Sequence, residues 1–162
     1  MGVTFLLILS KAIFASITAL GFGLISNPPK RAIAAILLTG FLGYFTRATM
    51  LDLLGLHIFV TCFTSAFVMG SCGLIFGRLT RTPATVIYIP ALLPMIPGMY
   101  AYKAIFGMLN YMHHIELADK AIYMDQLVVN ITYVFGILFS LAIGSIMPMF
   151  IFTKTANSLT RN

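Results

Sequence analysis

The stretch Pro94-Met95-Ile96-Pro97-Gly98 lies inside a long apolar segment, TPATVIYIPALLPMIPGMYAYKAIFGM, which runs from Thr82 to Met108. A proline within a helix removes one backbone hydrogen bond and clashes with the preceding turn. Pro90, Pro94, Pro97 and Gly98 fall within nine residues. The sequence therefore predicts a helix that breaks in the middle of an apolar segment.

The composition indicates an integral membrane protein. Of the 162 residues, 60% are hydrophobic and only 9% are charged, and the mean hydropathy is +1.00. A soluble domain carries about 25% charged residues. The formal net charge is +6, but the ten Lys and Arg residues are scattered singly or in pairs. Because this scatter makes no basic face, we predict no binding to nucleic acid.

Five apolar stretches are long enough to cross a bilayer, whose core needs about 20 apolar residues per helix. The predicted spans cover residues 3–25, 32–51, 57–77, 84–108 and 127–152, and the segment 110–125 is the one substantial polar connection. No basic residue precedes the first apolar stretch, so we interpret it as a retained span rather than a cleaved signal. The predicted fold is an all-α integral membrane protein with five transmembrane helices, and residues 1–162 form a single domain.

The basic residues predict the orientation of the spans, because cytoplasmic loops carry an excess of Lys and Arg. One side of the membrane receives six basic residues and no acidic one: Lys30, Arg31, Arg78, Arg81, Lys154 and Arg161. The other side receives Lys120, the span-end residues Arg47 and Lys103, and all four acidic residues. We therefore predict that the N-terminus lies outside the cytoplasm and the C-terminus inside it.

Small residues are spaced at helical intervals in two of the spans. In the third span they are Ala66, Gly70, Gly73 and Gly77, and in the second they are Gly40 and Gly43. Small side chains let membrane helices approach closely. We interpret both sets as helix-packing surfaces, within the chain or with a partner.

The proline-rich break is the predicted substrate site. In a continuous helix Pro90, Pro94 and Pro97 would share one face, and the carbonyls of Val86, Pro90 and Leu93 would lose their usual partners. Irregular backbone at membrane depth survives only inside protein or beside a watery cavity. Discontinuous helices at the midplane are where secondary transporters bind substrates and ions. The alternative interpretation is a packing kink without a ligand.

Polar residues near the break extend this predicted site. The predicted substrate-binding residues are Pro90, Pro94, Pro97, Gly98, Tyr100, Tyr102, Lys103 and Asn130. Asn130 belongs to a stripe in the fifth span, 126–144, which either lines a substrate pathway or forms hydrogen bonds between helices. Lys103 either neutralises an anionic substrate or extends to the outer interface.

Charged residues within or beside the spans are the candidates for ion coupling, since an intramembrane charge is a functional-site hypothesis by default. They are Arg47, Asp52 and Asp125, although Arg47 also has the alternative of extending to the interface. Lys11 lies in the middle of the first span and needs a partner. No acidic residue of this chain is expected at that depth, so another subunit is one source of that partner.

Enzymatic or metal chemistry finds no support in the sequence. The chain lacks the Gly-x-Ser-x-Gly, His-Glu-x-x-His and P-loop motifs. His113 and His114 with Glu116 are interpreted as a solvated loop rather than a metal site. We predict a non-enzyme without a cofactor or a metal.

Three motifs resemble the threonine/serine exporter family: Asn27-Pro28-Pro29-Lys30-Arg31, Arg81-Thr82-Pro83-Ala84 and Pro94-Met95-Ile96-Pro97-Gly98. More narrowly, the chain is similar to the small-subunit type, which corresponds to the C-terminal half of the fused exporters. The resemblance covers nearly the whole chain, and the Pro-x-x-Pro-Gly core is its most specific element.

The resemblance implies an exporter of L-threonine and L-serine that uses the proton gradient across the bacterial inner membrane. It also implies a separate, larger membrane subunit as the partner. Some two-subunit members are associated with dicarboxylate export such as succinate, so a dicarboxylate exporter subunit is one alternative. Others are a non-transporting accessory subunit and a channel formed by a homo-oligomer.

Overall fold

The computed structural model describes residues 2–113 and 117–152, and all of the secondary structure in these ranges is helical. The six α-helices are α1 (Gly2–Ile25), α2 (Ile33–Asp52), α3 (Ile58–Thr80), α4 (Ala84–Leu92), α5 (Gly98–His113) and α6 (Leu117–Ile151). Short 3₁₀ helices cover Lys30–Ala32 and Leu93–Met95. The predictions made for His114, Glu116, Lys154 and Arg161 lie outside the described residues.

Four of these helical segments are long and apolar enough to cross a membrane, and the number rises to five if α4 and α5 together count as one span. The four are Thr4–Ile25, Lys30–Asp52, Ile58–Thr80 and Lys120–Ile151. Their length and composition therefore support a multi-pass membrane protein, and the first three match the predicted spans closely.

The predicted polar connection over residues 110–125 is helical over most of its described length. Helix α5 continues to His113, and α6 begins at Leu117, ten residues before the predicted span. Hydropathy measures which residues suit lipid, whereas helix formation needs only backbone hydrogen bonds and good helix formers such as Leu, Ala and Lys. At 1.5 Å per residue, the 35 residues of α6 extend about 52 Å, well beyond a hydrocarbon core of about 30 Å.

The described chain divides into two compact units. The first contains the residues up to Met95 and those from Ser140 onward, and the second contains Ile96–Phe139. In the first unit α2 packs against α1, α3 and α4, and α1 also contacts α4. In the second unit α5 packs against the first part of α6. The prediction of a single domain stays a prediction.

Glycines allow the helices of the first unit to approach closely, as the small-residue spacing predicted. A Cβ on Gly40 would lie 2.9 Å from the Cβ of Ala19 in α1, and a Cβ on Gly73 would lie 2.9 Å from the Tyr88 ring in α4. A Cβ on Gly70 would overlap the carbonyl oxygen of Ser145 in α6. The packing interpretation of these small residues is therefore confirmed within the chain.

Replacing Gly70 with alanine is expected to destabilise the first unit by about 1–3 kcal/mol, which is typical of an overpacked core. The added methyl group would meet backbone rather than a flexible side chain, so the helices must separate. The measurement is the melting temperature of the detergent-solubilised protein. Gly21→Ala is the matched control, because nothing lies within 4 Å of a Cβ at Gly21. Equal melting temperatures for the two variants would contradict the prediction.

The loops at one end of the first unit bring basic residues together. An Arg31 Nη2 group donates a hydrogen bond of 3.1 Å to the carbonyl oxygen of Arg81. Arg81 itself ends α3 in the left-handed conformation, with φ of 50°. The α1–α2 and α3–α4 loops therefore meet at the same end, where the positive-inside pattern also places them.

Candidate functional site

The apolar segment that contains the prolines is helical on both sides of a short non-α stretch. Helix α4 ends at Leu92, the 3₁₀ turn Leu93–Met95 follows, and α5 begins at Gly98. The Gly98 N–H donates to the Ile96 carbonyl at 2.8 Å, and the Ala101 N–H donates to the Pro97 carbonyl at 3.1 Å. Pro94 and Pro97 have no N–H to continue the α-helical ladder through this stretch.

Met95 fixes the 3₁₀ turn to helix α3. Its side chain is 1% exposed, and the Ser65 hydroxyl donates to its sulfur at 3.3 Å. Ser65 is itself fully buried, and its one O–H is shared between this sulfur and the Cys62 carbonyl of its own helix, whose oxygen lies 3.1 Å from Oγ. The residues immediately before the break are thus held by the core of the first unit.

Pro90 is accommodated inside α4 and is buried. It borders a cavity of about 230 Å³ between the end of α1 and α4, lined by Phe22, Ser26, Thr85, Val86, Ile89, Pro90 and Leu93. Val86 is the residue whose carbonyl loses its α-helical partner at Pro90. The first unit therefore places a proline-freed backbone position beside a cavity.

The second unit is an antiparallel helix pair, α5 against the first part of α6. The Tyr100 and Tyr133 rings stack with centroids 5.0 Å apart. A Cβ on Gly107 would lie 3.1 Å from the Tyr123 carbonyl oxygen, and the Lys120 ammonium lies 5.8 Å from the Tyr111 ring centroid. Tyr100, Gly107 and Tyr111 therefore define the side of α5 that faces α6.

The other predicted residues of this unit are exposed or interact within their own helix. Tyr102 is 62% exposed and stacks on Phe106 of its own helix. Lys103 and Asp125 are exposed. The Asn130 amide donates to the Gln126 carbonyl of its own helix at 2.6 Å, and both interpretations of the polar stripe stay predictions. Pro90 and Pro94 belong to the first unit, and Pro97, Gly98 and these residues belong to the second.

A second group of polar side chains lies where α1 passes the end of α2. The Lys11 ammonium donates to Asp52 Oδ2 at 2.8 Å. The expectation that no acidic residue of this chain reaches Lys11 is therefore wrong. Asp52 is the last residue of α2, and the antiparallel pairing of the two helices places it level with the Lys11 side chain.

Arg47 adds a second cation beside this ion pair. Its Nε is buried and has no hydrogen-bond partner among the described residues. Its guanidinium carbon lies 5.7 Å from the Tyr44 ring centroid, and the group interacts with the Cys62 thiol of α3. Lys11, Tyr44, Arg47, Ala48, Leu51 and Asp52 line a cavity of about 100 Å³, which we call the α1–α2 pocket.

The α1–α2 pocket brings charged side chains of both signs together. It is lined by two basic residues and one acidic residue, so its formal charge is positive. Both helices that form it are candidate membrane spans, where charges are rare and pair with one another or with a substrate. No group of three or more His, Cys, Asp or Glu that could hold a metal is found in the described ranges.

Sequence reasoning selected Arg47 and Asp52 but missed the contribution of Lys11 to the same site. The available signal was a lysine in an apolar run, opposite a helix that ends in aspartate. Their pairing depends on how far α1 is shifted along α2, which hydropathy does not encode.

The comparisons with known proteins agree with the membrane architecture. The family described as Threonine/Serine exporter, ThrE, matches residues 11–151 of the chain. A Haemophilus influenzae protein, described only as an uncharacterized protein, is 30% identical over 152 residues. That alignment covers 90% of this chain and 50% of the relative, so the chain spans about half the length of that protein. No solved structure matches the chain.

Proposed function

The chain belongs to the threonine/serine exporter family, and on that premise we propose that it is one subunit of a secondary-active exporter for L-threonine and L-serine. It works in the bacterial inner membrane, is driven by the proton gradient and acts with a larger membrane subunit. The family is one of membrane transporters rather than enzymes. The Haemophilus relative is about twice as long as the matched region, which supports a second half supplied by the partner.

The observation that carries this proposal is the Lys11–Asp52 ion pair with Arg47 beside it. Intramembrane charges of this kind mark ion and substrate pathways. Asp52 is the stronger candidate for proton coupling, because its carboxylate pairs with a lysine between two candidate membrane spans. Asp125 is exposed in the second unit.

The proposed topology follows the charge pattern. The N-terminus lies outside the cytoplasm, the C-terminus inside, and α4 with α5 forms one crossing broken at Pro94 and Pro97. The contact between Arg31 and Arg81 at one end of the first unit supports this arrangement, since both lie in predicted cytoplasmic loops. Asp52 then faces the outer side of the membrane.

The proposed mechanism is alternating access around the break. The N-terminus of α5 at Gly98 carries a partial positive charge, which suits a substrate carboxylate. The carbonyls that lose partners at Pro90, Pro94 and Pro97 suit an ammonium group. Tyr100, Tyr102, Lys103 and Asn130 remain the proposed neighbours of this site.

A dicarboxylate exporter subunit is the second candidate function, because the α1–α2 pocket holds two cations against one carboxylate. Succinate carries two carboxylates and no ammonium, so its carboxylates would pair with both Lys11 and Arg47. The following experiment separates this candidate from the first.

The test measures efflux of labelled L-threonine, L-serine and succinate from vesicles that contain this chain alone or with the larger subunit. Each sample is tested with and without a proton gradient. We expect gradient-dependent efflux of threonine and serine in the two-subunit sample. Efflux of succinate alone would favour the second candidate, and efflux of none of the three would favour an accessory subunit.

A further inference from the structure

We infer that the α1–α2 pocket is an amino-acid release site at the outer end of the first two spans. It binds the zwitterionic head group of the substrate, with Arg47 holding the carboxylate and Asp52 holding the ammonium. This inference rests on the proposed function and adds a second substrate site, separate from the break.

Arg47 has the chemistry to bind a carboxylate. Arginine binds carboxylates through two parallel N–H···O bonds, one of which often comes from Nε. The Arg47 Nε is buried and lacks a partner among the described residues, and Arg47 is one of the residues that line the cavity. A buried N–H that stays unpaired is costly, so a ligand oxygen at this position is favoured.

Lys11 occupies the position of the substrate ammonium when the pocket holds no amino acid. Its primary ammonium donates to Asp52 Oδ2 at 2.8 Å, and its side chain is 49% exposed. A substrate ammonium offers the same N–H donors and the same charge, so it can replace Lys11 at the carboxylate. The half-exposed lysine side chain can then swing away from Asp52 without displacing other side chains.

The size of the pocket limits the ligand. Its volume of about 100 Å³ lies well below the roughly 300–1,000 Å³ of sites for drug-sized ligands. Such a space suits a head group or a very small amino acid. The Tyr44 ring adds an aromatic wall, and Ala48 and Leu51 supply apolar contacts.

The site also explains how a proton could exchange for the substrate. With the proposed topology, a proton from outside neutralises Asp52 and removes the charge that holds the substrate ammonium. The groups facing Asp52 are Lys11 from α1 and Arg47 from its own helix, with the Cys62 thiol of α3 next to Arg47. Proton and amino acid therefore compete for one carboxylate, as exchange in opposite directions requires.

The test measures equilibrium binding of labelled L-serine to the complex purified through a tag on this chain, with glycerate and ethanolamine as competitors. Glycerate keeps the carboxylate and lacks the ammonium, and ethanolamine has the reverse. We expect Arg47→Gln to weaken serine binding about 10- to 100-fold, the effect of losing a charged hydrogen bond. Arg47→Lys keeps the positive charge but loses the paired N–H donors of the guanidinium, so its affinity for serine should lie between those of the wild type and Arg47→Gln.

Lys11→Met gives the decisive result, because it removes the competitor of the substrate ammonium. We expect serine to bind this variant more tightly than the wild type and to raise its melting temperature by a larger amount. A merely structural ion pair predicts the opposite, with weaker binding and a less stable protein. Lys30→Met, which removes an exposed lysine at the other end of these helices, is the matched control and should bind serine as the wild type does.

Failure of the release-site inference and failure of the proposed exporter function give different results. In one case the wild-type complex exports serine or threonine, but Arg47→Gln and Lys11→Met bind serine like the control. This result would contradict the release site and leave the proposed exporter function intact. If the wild-type complex neither binds nor exports these amino acids, the proposed function and this inference both fall. Size-exclusion profiles of each variant complex establish that it is assembled.

Discussion

Replacing Pro97 and Gly98 together with alanine is expected to abolish transport while leaving assembly intact. Alanine at position 97 restores a backbone N–H that can donate to the Leu93 carbonyl, and alanine is the best helix former. A proline in a helix interior costs about 3 kcal/mol, so its removal shifts the balance toward a continuous helix by roughly 100-fold. The half-helix end at Gly98 would then disappear.

Steric effects do not account for the expected loss, since a Cβ on Gly98 would have nothing within 4 Å. The measurement is gradient-dependent serine efflux from two-subunit vesicles, with the amount of co-purified partner as the measure of assembly. A matched double variant, Gly21→Ala with Pro29→Ala, changes the same residue types outside the predicted site and should export normally. Unaltered efflux in the Pro97→Ala/Gly98→Ala variant would remove the break from the mechanism.

The first three helices were predictable because hydrophobic length alone determines them. The predicted spans 3–25, 32–51 and 57–77 became helices Gly2–Ile25, Ile33–Asp52 and Ile58–Thr80. The spacing of the glycines in the third span likewise predicted close helix packing, because small residues repeated on one helix face are typical of such contacts. Both inferences depend on properties of one helix at a time.

The remaining features depend on pairs of helices or on groups that lipid preference does not describe. The early start of α6 at Leu117 was missed because polar residues outside a bilayer form helices readily. The Lys11–Asp52 pair was missed because it requires the relative shift of α1 and α2. The hydrogen bond from Asn130 to its own helix was missed because helical spacing gives the face of a side chain but not its bonding partner.

Replacing Asp52 with asparagine is expected to uncouple export from the proton gradient. The amide cannot take up a proton at physiological pH, and it no longer balances Lys11. The ratio of serine efflux with and without the gradient should therefore fall to unity. Because the single change leaves Lys11 without its counter-ion, the double variant Lys11→Met/Asp52→Asn keeps the charge balance and tests coupling without an unpaired cation.

Asp125 provides the comparison that decides between the two acidic candidates. It is exposed on α6, whereas Asp52 accepts a 2.8 Å hydrogen bond from a lysine on a neighbouring membrane helix. Protonation of a paired carboxylate breaks the ion pair and so changes the interactions of the lysine. Protonation of an exposed carboxylate changes little beyond the charge of that group. Asp125→Asn should therefore keep the gradient stimulation that Asp52→Asn loses. The reverse result would assign coupling to Asp125, and stimulation in both variants would assign it to the larger subunit.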